Sequence, residues 1–254
     1  MRLRTKLDHY ATMKTNLAQN YGMYQGRYNA QMPLLVEKGL TPLTTKDFMM
    51  YRIKALQSGD KAEIEFWFNR CWDSSTTIVQ HQKKIMIVHT PDQILSITSK
   101  VKLDDGALGL TVEQFRELAR HHEVFDRRKI KSGEWLPKHR AKENRYWIEF
   151  AQGDRATLNE FADQIFAEGM ARSNKDRNML VLLPEERENP TMHAVYFKLL
   201  NGRSYASARS RFDRHARIFG EHIPSLQPLL EGRADTEPAV ATIRRQETIV
   251  ELVH

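Results

Sequence analysis

The chain has 254 residues, of which 41% are hydrophobic and 28% are charged, and this composition excludes wholesale disorder. Its single cysteine, Cys71, excludes an internal disulfide and a zinc cage built from several cysteines. No apolar run approaches the roughly 18 residues that span a bilayer, and Met1–Lys6 does not lead into an apolar signal segment. We therefore expect a cytoplasmic protein with no membrane partner. The net charge of +7 favours a polyanionic partner.

Residues 3–30 carry apolar side chains at alternating steps of three and four, which predicts a long helical arm. The members of this stripe are Leu3, Leu7, Tyr10, Met13, Leu17, Tyr21, Tyr24 and Tyr28. We expect the arm and a following linker to occupy residues 1–43. Because a stripe of this kind can pair two helices, it offers an alternative role in joining subunits.

The segment 44–126 mixes helical and strand patterns, which predicts an α+β lobe that contains a β-hairpin. Helices are predicted after Thr44, from Asp60 through Trp72, and after Thr111. The predicted hairpin strands are residues 76–79 and 84–88, and residues 93–98 could add a third strand.

The segment 127–147 mixes turn residues with many cations, which predicts a basic junction between two lobes. Eight cations between residues 127 and 145 face only two acidic residues, so this stretch carries a net charge of +6. These cations are Arg127, Arg128, Lys129, Lys131, Lys138, Arg140, Lys142 and Arg145. The aromatic residues within or beside them are Trp135, Tyr146 and Trp147. Since cations neutralise phosphates and aromatic rings stack on exposed bases, the segment predicts a contact with nucleic acid.

Residues 148–223 are expected to form a helical lobe with a short strand at 179–183, and residues 224–254 a poorly ordered tail. One helix is predicted to end at Leu200, and an arginine-rich helix is predicted over 204–219. The cations of this second basic region are Arg203, Arg209, Arg211, Arg214 and Arg217. Helix, turn and basic helix in this order form the outline of a helix-turn-helix unit.

The sequence contains no motif for nucleotide hydrolysis or acyl transfer, so we assign no catalytic residue, metal or cofactor. The predicted fold class is α+β, predominantly helical with a small antiparallel β element, which could form two lobes. The predicted function is nucleic-acid binding, mainly to the phosphate backbone, through residues 127–145 and 203–217, with DNA favoured over RNA. One alternative is a structural or assembly subunit that joins protein partners, or copies of itself, through the N-terminal arm. A nuclease with an unidentified site is the third hypothesis.

Overall fold

A computed structural model describes most of the chain between residues 21 and 221. The described ranges are residues 21–68, 71–129, 132–171, 177–200, 203–210 and 212–221. Its helices are α1 (Tyr28–Glu37), α2 (Thr45–Ser58), α3 (Lys61–Phe68), α4 (Asp92–Leu95), α5 (Val112–His121), α6 (Lys138–Glu143), α7 (Arg145–Phe150) and α8 (Arg155–Ala171), with a 3-10 turn at Arg127–Lys129. Its strands are β1 (Tyr21–Arg27), β2 (Thr41–Pro42), β3 (Cys71–His81), β4 (Lys84–His89), β5 (Leu103–Asp104), β6 (Ala107–Gly109), β7 (Phe125–Asp126), β8 (Leu136–Pro137), β9 (Arg177–Leu182), β10 (Thr191–Leu200), β11 (Arg203–Ser210) and β12 (His215–Glu221).

All twelve of these strands belong to one mixed sheet, whose main path runs β1-β12-β3-β10-β11-β9-β8. Most neighbouring strands are antiparallel, but β11 pairs with β9 and β12 pairs with β3 in parallel. The prediction of a mainly helical protein with a small antiparallel β element is therefore wrong. The domain boundaries drawn from the sequence stay a prediction.

The predicted N-terminal helix is wrong over residues 21–27, which form the strand β1. Strand β1 pairs with β12 along its full length, from Tyr21 opposite Glu221 to Arg27 opposite His215. Tyrosine favours strands, and the glycines of this segment weaken a helix, so the distant partner strand decides the conformation. Helix α1 then begins at Tyr28. The remainder of the predicted stripe, in residues 1–20, lies outside the described residues.

The predicted helices on either side of residue 201 are also wrong, because this region forms strands β10, β11 and β12. The helix-turn-helix outline is wrong for the same reason. Phe212, inside the segment predicted as a helix, lies in the turn between β11 and β12. It is fully buried there, with its ring centroid 5.1 Å from that of Tyr28 in an edge-to-face arrangement. Phe212 is therefore buried by a turn that packs on the second core and not by a helix face.

The central hairpin and two capped helices are confirmed. Strands β3 and β4 pair antiparallel, from Thr76 opposite His89 to His81 opposite Lys84. Thr111 caps α5 by accepting a hydrogen bond from the backbone N–H of Gln114, and Thr44 caps α2 in the same way. The helix from Asp60 ends at Phe68 instead of Trp72, and the third strand predicted at 93–98 is replaced by α4.

Both faces of the central strands are buried, each against a different hydrophobic core. The first core contains Ile78 and Ile87 and is covered by α2, α3, α7 and α8. The second core contains the next residues along the strands, Val79 and Val88, together with side chains of α1, α4 and α5. Neighbouring residues of a strand point to opposite faces, so one apolar run supplies both cores.

A buried chain of hydrogen bonds joins four elements around His89. Nε2 of His89 donates to the carbonyl of Glu149 at 2.9 Å, which leaves Nδ1 to accept from the hydroxyl of Thr76 at 3.0 Å. The Thr76 oxygen accepts from the backbone N–H of Thr45, whose hydroxyl donates to the carbonyl of Phe150. Neutral His89 therefore ties β3 and β4 to α2 and α7.

Two histidines make the stability of this fold depend on pH. Burial lowers the pKa of His89 from 6.5 to about 4. The pKa of His193 is also lowered to about 4, because the residue is buried and the cation of Arg187 lies nearby. Between these pKa values the unfolded chain binds protons that the folded chain does not, so stability falls as pH falls below 6.5. From pH 7.5 to 5.5, each histidine should lower the unfolding free energy by about 1.4 kcal/mol.

Urea unfolding at the two pH values measures this loss. The double variant His89→Asn, His193→Asn serves as the control, and its pH dependence over the same interval should be much flatter. An unfolding free energy of the unsubstituted chain that stays constant from pH 7.5 to 5.5 would contradict neutral, buried histidines.

Candidate functional site

Asp73 is a buried carboxylate in the middle of the sheet, and its side chain is only 4% exposed. It lies on β3, opposite Tyr196 of β10 and Ile218 of β12. Oδ1 accepts a hydrogen bond from Nη2 of Arg214 at 3.2 Å, and Oδ2 accepts from the backbone N–H of Arg217 at 3.2 Å. Because a buried charge must be paired, Asp73 fixes the segment that leads from β11 into β12.

Arg214 connects this buried carboxylate to an aromatic ring. Its guanidinium carbon lies 4.8 Å from the ring centroid of Tyr196, a cation–π distance. The Arg214 side chain is 37% exposed, so part of it remains open to solvent while one nitrogen binds Asp73. Arg214 is therefore held in one position and still available to a ligand.

The register of β10 and β11 shows which side chains share the face on which Tyr196 lies. Tyr196 is opposite Ser207, and Leu200 is opposite Arg203. Directly opposed residues of an antiparallel pair, and every second residue along each strand, share a face. Phe197 and its partner Ala206 lie on the other face, in the first core. Arg203 thus lies on the same face as Tyr196.

Arg203 forms a second arginine–aromatic pair, because its guanidinium carbon lies 5.3 Å from the ring centroid of Trp135. Arg203 is exposed and Trp135 is half-buried. Leu200, the partner of Arg203, lies four positions after Tyr196 along β10, which places the two pairs roughly 13 Å apart. We define the arginine–aromatic face by the following residues: Trp135, Tyr196, Lys198, Arg203 and Arg214.

Much of the charge predicted for the basic junction is compensated by acidic residues from outside it. Arg128 binds Asp126, with Nη2 2.7 Å from Oδ2, and Arg145 forms an ion pair with Glu123. Lys138 and Lys142 both bind the carboxylate of Asp163 on α8. The net charge of +6 counted along the sequence therefore does not describe the charge of the folded surface.

The other predicted binding residues are dispersed. Arg127 is half-buried and donates to Oε1 of Gln80 at 3.2 Å. Lys129, Arg140 and Arg217 are exposed. Lys131 and Arg211 lie outside the described residues, as does the side chain of Arg209.

The prediction that Tyr146 and Trp147 stack on a ligand is wrong. Tyr146 is 1% exposed and Trp147 is 0% exposed, and both pack in the first core. Their aromatic surface is used for folding, since a buried ring stabilises the core that encloses it. Trp135 alone of the three predicted aromatics is half-buried.

Asp73 and Tyr196 were missed as site residues by the sequence-based predictions. The sequence carries one signal for Asp73, an acidic residue inside a strand-like run of serine and threonine. Tyr196 carried none, because its segment was taken for a helix and the register with β11 was unknown. In the described parts of the chain, no cluster of histidine, cysteine and acidic residues could hold a metal ion. Nor does any helix described there have the length and apolar character to cross a membrane.

Comparison with known proteins identifies the fold. No protein-family model matches the chain, and no curated protein matches it. A solved structure described as "Accommodation of massive sequence variation in Nanoarchaeota by the C-type lectin fold" is similar, with a TM-score of 0.60 and 13% sequence identity. The match covers 79% of this chain and 97% of that chain. The chain therefore has a C-type lectin fold, which replaces the predominantly helical α+β class predicted from its sequence.

The anchoring role of Asp73 is tested by Asp73→Asn, which keeps the side-chain volume and removes the charge. We expect the unfolding free energy to fall by about 1 to 3 kcal/mol, because a buried charged hydrogen-bond partner is lost. Arg214→Gln should also destabilise the fold, because it removes a hydrogen-bond donor of the Asp73 carboxylate. Urea unfolding measures both effects.

Glu117→Gln provides the control, since it removes one partner of an exposed ion pair on α5 and should change stability by no more than about 0.5 kcal/mol. If Asp73→Asn were as stable as Glu117→Gln, Asp73 would not anchor the segment that carries Arg214.

Proposed function

We propose that this chain is a binding protein that recognises a protein partner through the arginine–aromatic face. The observation that carries the proposal is the presence of two arginine–aromatic pairs on one face of the sheet. One pair is also anchored to the buried carboxylate of Asp73. Arginine, tryptophan and tyrosine side chains grouped on one surface are typical of a contact with another protein.

The chemistry of these side chains favours a protein partner. Tryptophan, tyrosine and arginine supply most of the binding energy at protein–protein interfaces, where a few residues dominate. The planar guanidinium of arginine binds carboxylates and carbonyl groups while its flat side stacks on a ring. Because Asp73 and Tyr196 already hold Arg214, little side-chain entropy is lost when a partner binds.

The fold supports the same function, because most of the arginine–aromatic face lies outside the hydrophobic cores. Trp135, Tyr196 and Arg203 belong to neither hydrophobic core, whereas Phe197 and Ala206, on the opposite face of β10 and β11, belong to the first. The similar structure is described as accommodating massive sequence variation by the C-type lectin fold. A face that is not needed for the core can change its side chains on a fixed scaffold, as binding surfaces do.

This proposal shares with the assembly hypothesis the binding of a protein partner. It assigns the contact to the arginine–aromatic face and not to the N-terminal arm. The N-terminal arm, through which assembly or homo-oligomer formation was predicted, stays a prediction over residues 1–20. We place the protein in the cytoplasm, because its single cysteine suits a reducing compartment.

Peptide display tests the proposal without a known partner. A random peptide library is selected on the immobilised full-length chain, and the affinity of each isolate is measured by calorimetry. The double variant Trp135→Ala, Arg203→Ala should weaken most isolates by at least about tenfold, equivalent to about 1.4 kcal/mol. The variant keeps Asp73 and Arg214, so its fold should be retained.

Arg116→Ala, Arg120→Ala is the matched control, because both arginines are exposed on α5. Isolates should bind this variant as tightly as the unsubstituted chain. Isolates that keep full affinity for the Trp135, Arg203 variant, or that lose affinity only for the α5 control, would reject the arginine–aromatic face as the recognition surface.

A further inference from the structure

The two arginines of the arginine–aromatic face differ in how their charge is compensated. Arg214 forms an ion pair with the buried carboxylate of Asp73, with Nη2 3.2 Å from Oδ1. Arg203 is exposed and contacts the ring of Trp135, and among the residues that the structure describes its guanidinium has no ion pair and no hydrogen bond. Arg203 therefore presents five unused N–H donors and an uncompensated charge to a partner.

The other charged side chains at this face already have partners. Lys198 belongs to the face, and Glu134 and Asp213 adjoin it along the chain; each of the three interacts with another residue. Three cations and three anions therefore meet here, with no net charge: Arg203, Arg214, Lys198, Asp73, Glu134 and Asp213. Recognition at this face thus depends on the one uncompensated arginine and not on an excess of positive charge.

The position of Arg203 on Trp135 selects a carboxylate as its partner. A guanidinium stacks on a ring with its flat side and binds a carboxylate with its edge through two parallel hydrogen bonds, so both contacts form together. One carboxylate compensates one arginine. A phosphate group, with nearly two negative charges, would leave an excess of negative charge beside Glu134 and Asp213.

The end of the face at Tyr196 favours an apolar side chain. Tyr196 is opposite Ser207 of β11, which in turn is opposite Leu182 of β9, and directly opposed residues share a face. Leu182 is half-buried and belongs to neither core. Because Asp73 compensates the charge of Arg214, this end offers a ring and an aliphatic group without a free charge.

The spacing of the two ends matches an extended chain. Tyr196, Lys198 and Leu200 occupy successive positions on this face of β10, roughly 6.6 Å apart. An extended peptide repeats its side chains on one side at the same interval of roughly 6.6 Å, so its residues i, i+2 and i+4 meet these three positions. A helix repeats every 5.4 Å or so and falls out of step with the face.

We propose that the arginine–aromatic face binds an extended segment of a partner protein with two anchors four residues apart. One anchor is an aspartate or glutamate whose carboxylate binds Arg203, and the other is an apolar residue that packs on Tyr196 and Leu182. This inference rests on the proposed function and specifies the chemistry and conformation of the partner.

A double-mutant cycle with the tightest display-selected peptide tests the carboxylate anchor. Each acidic residue of the peptide is replaced by its amide, and calorimetry compares the unsubstituted chain with Arg203→Gln. One replacement should weaken binding to the unsubstituted chain at least about tenfold. It should weaken binding to Arg203→Gln by less than about twofold, since the partner of the carboxylate is already removed. Arg203→Lys should also bind the original peptide more weakly, because lysine keeps the charge and loses the planar edge.

Arg116→Gln is the matched control, because Arg116 is an exposed arginine of α5. The same replacement in the peptide should weaken binding to Arg116→Gln as much as to the unsubstituted chain, and circular dichroism should show all variants folded. Equal weakening with Arg203→Gln and Arg116→Gln would overturn the carboxylate anchor. Full affinity of Arg203→Lys would overturn the two parallel hydrogen bonds.

Proline substitution in the peptide tests the extended conformation. Alanine scanning should first show two sensitive anchors four residues apart, one acidic and one apolar. Proline at the third position after the first anchor is compatible with an extended chain and breaks a helix, so affinity should change by less than about threefold. A loss of more than about tenfold there, or anchors at another spacing, would overturn the extended segment.

The outcomes separate this inference from the proposed function. Peptides that need Trp135 and Arg203 but contain no acidic residue coupled to Arg203 would leave the recognition face in place and reject the carboxylate anchor. Peptides that keep full affinity for the double variant Trp135→Ala, Arg203→Ala would reject both.

Discussion

The buried carboxylate of Asp73 is the constraint on which the rest of the candidate site depends. A charge in the middle of a sheet is stable only with hydrogen-bond donors, and Arg214 and the backbone of Arg217 supply them. The same contacts hold the start of β12 beside β3, while β12 in turn pairs with β1 along its whole length. The hydrogen bonds to Asp73 therefore help to hold β12 in the sheet and place Arg214 over the ring of Tyr196.

The two hydrophobic cores explain how this sheet can carry a binding face. In the centre of the sheet both faces are covered, so β4 and residues 78–79 of β3 carry apolar side chains on both sides. Near the C-terminal end of β10 and along β11, Phe197 and Ala206 on one face of the sheet still pack in the first core. The opposite face there carries Tyr196 and Arg203. Stability thus comes from the cores and from the Asp73–Arg214 pair, and Trp135, Tyr196 and Arg203 can differ without loss of core packing.

Local signals in the sequence predicted the elements that depend on neighbouring residues. The β3–β4 hairpin and the capped start of α5 were both predicted correctly, because their pairing or capping partners lie nearby in the chain. The segment 204–219 was taken for a helix because its apolar residues recur at steps of three and four. One partner, β10, precedes this segment directly, but the others, β9, β3 and β1, are distant in sequence, and tertiary pairing overrides such a pattern. For the same reason, the sequence could not place Arg214 beside Asp73, or Arg203 beside Trp135.

Amide hydrogen exchange of the chain, with and without a bound display-selected peptide, tests the central claim most directly. The claim is that Asp73 and the sheet present one recognition face, formed by β10, β11 and the turn before β12. We expect the peptide to slow exchange in residues 196–207 and 213–217 and to leave α5 and the tip of the β3–β4 hairpin unchanged, since binding stabilises the contacted segments against local opening. Protection confined to α5 or to the hairpin tip would contradict the account.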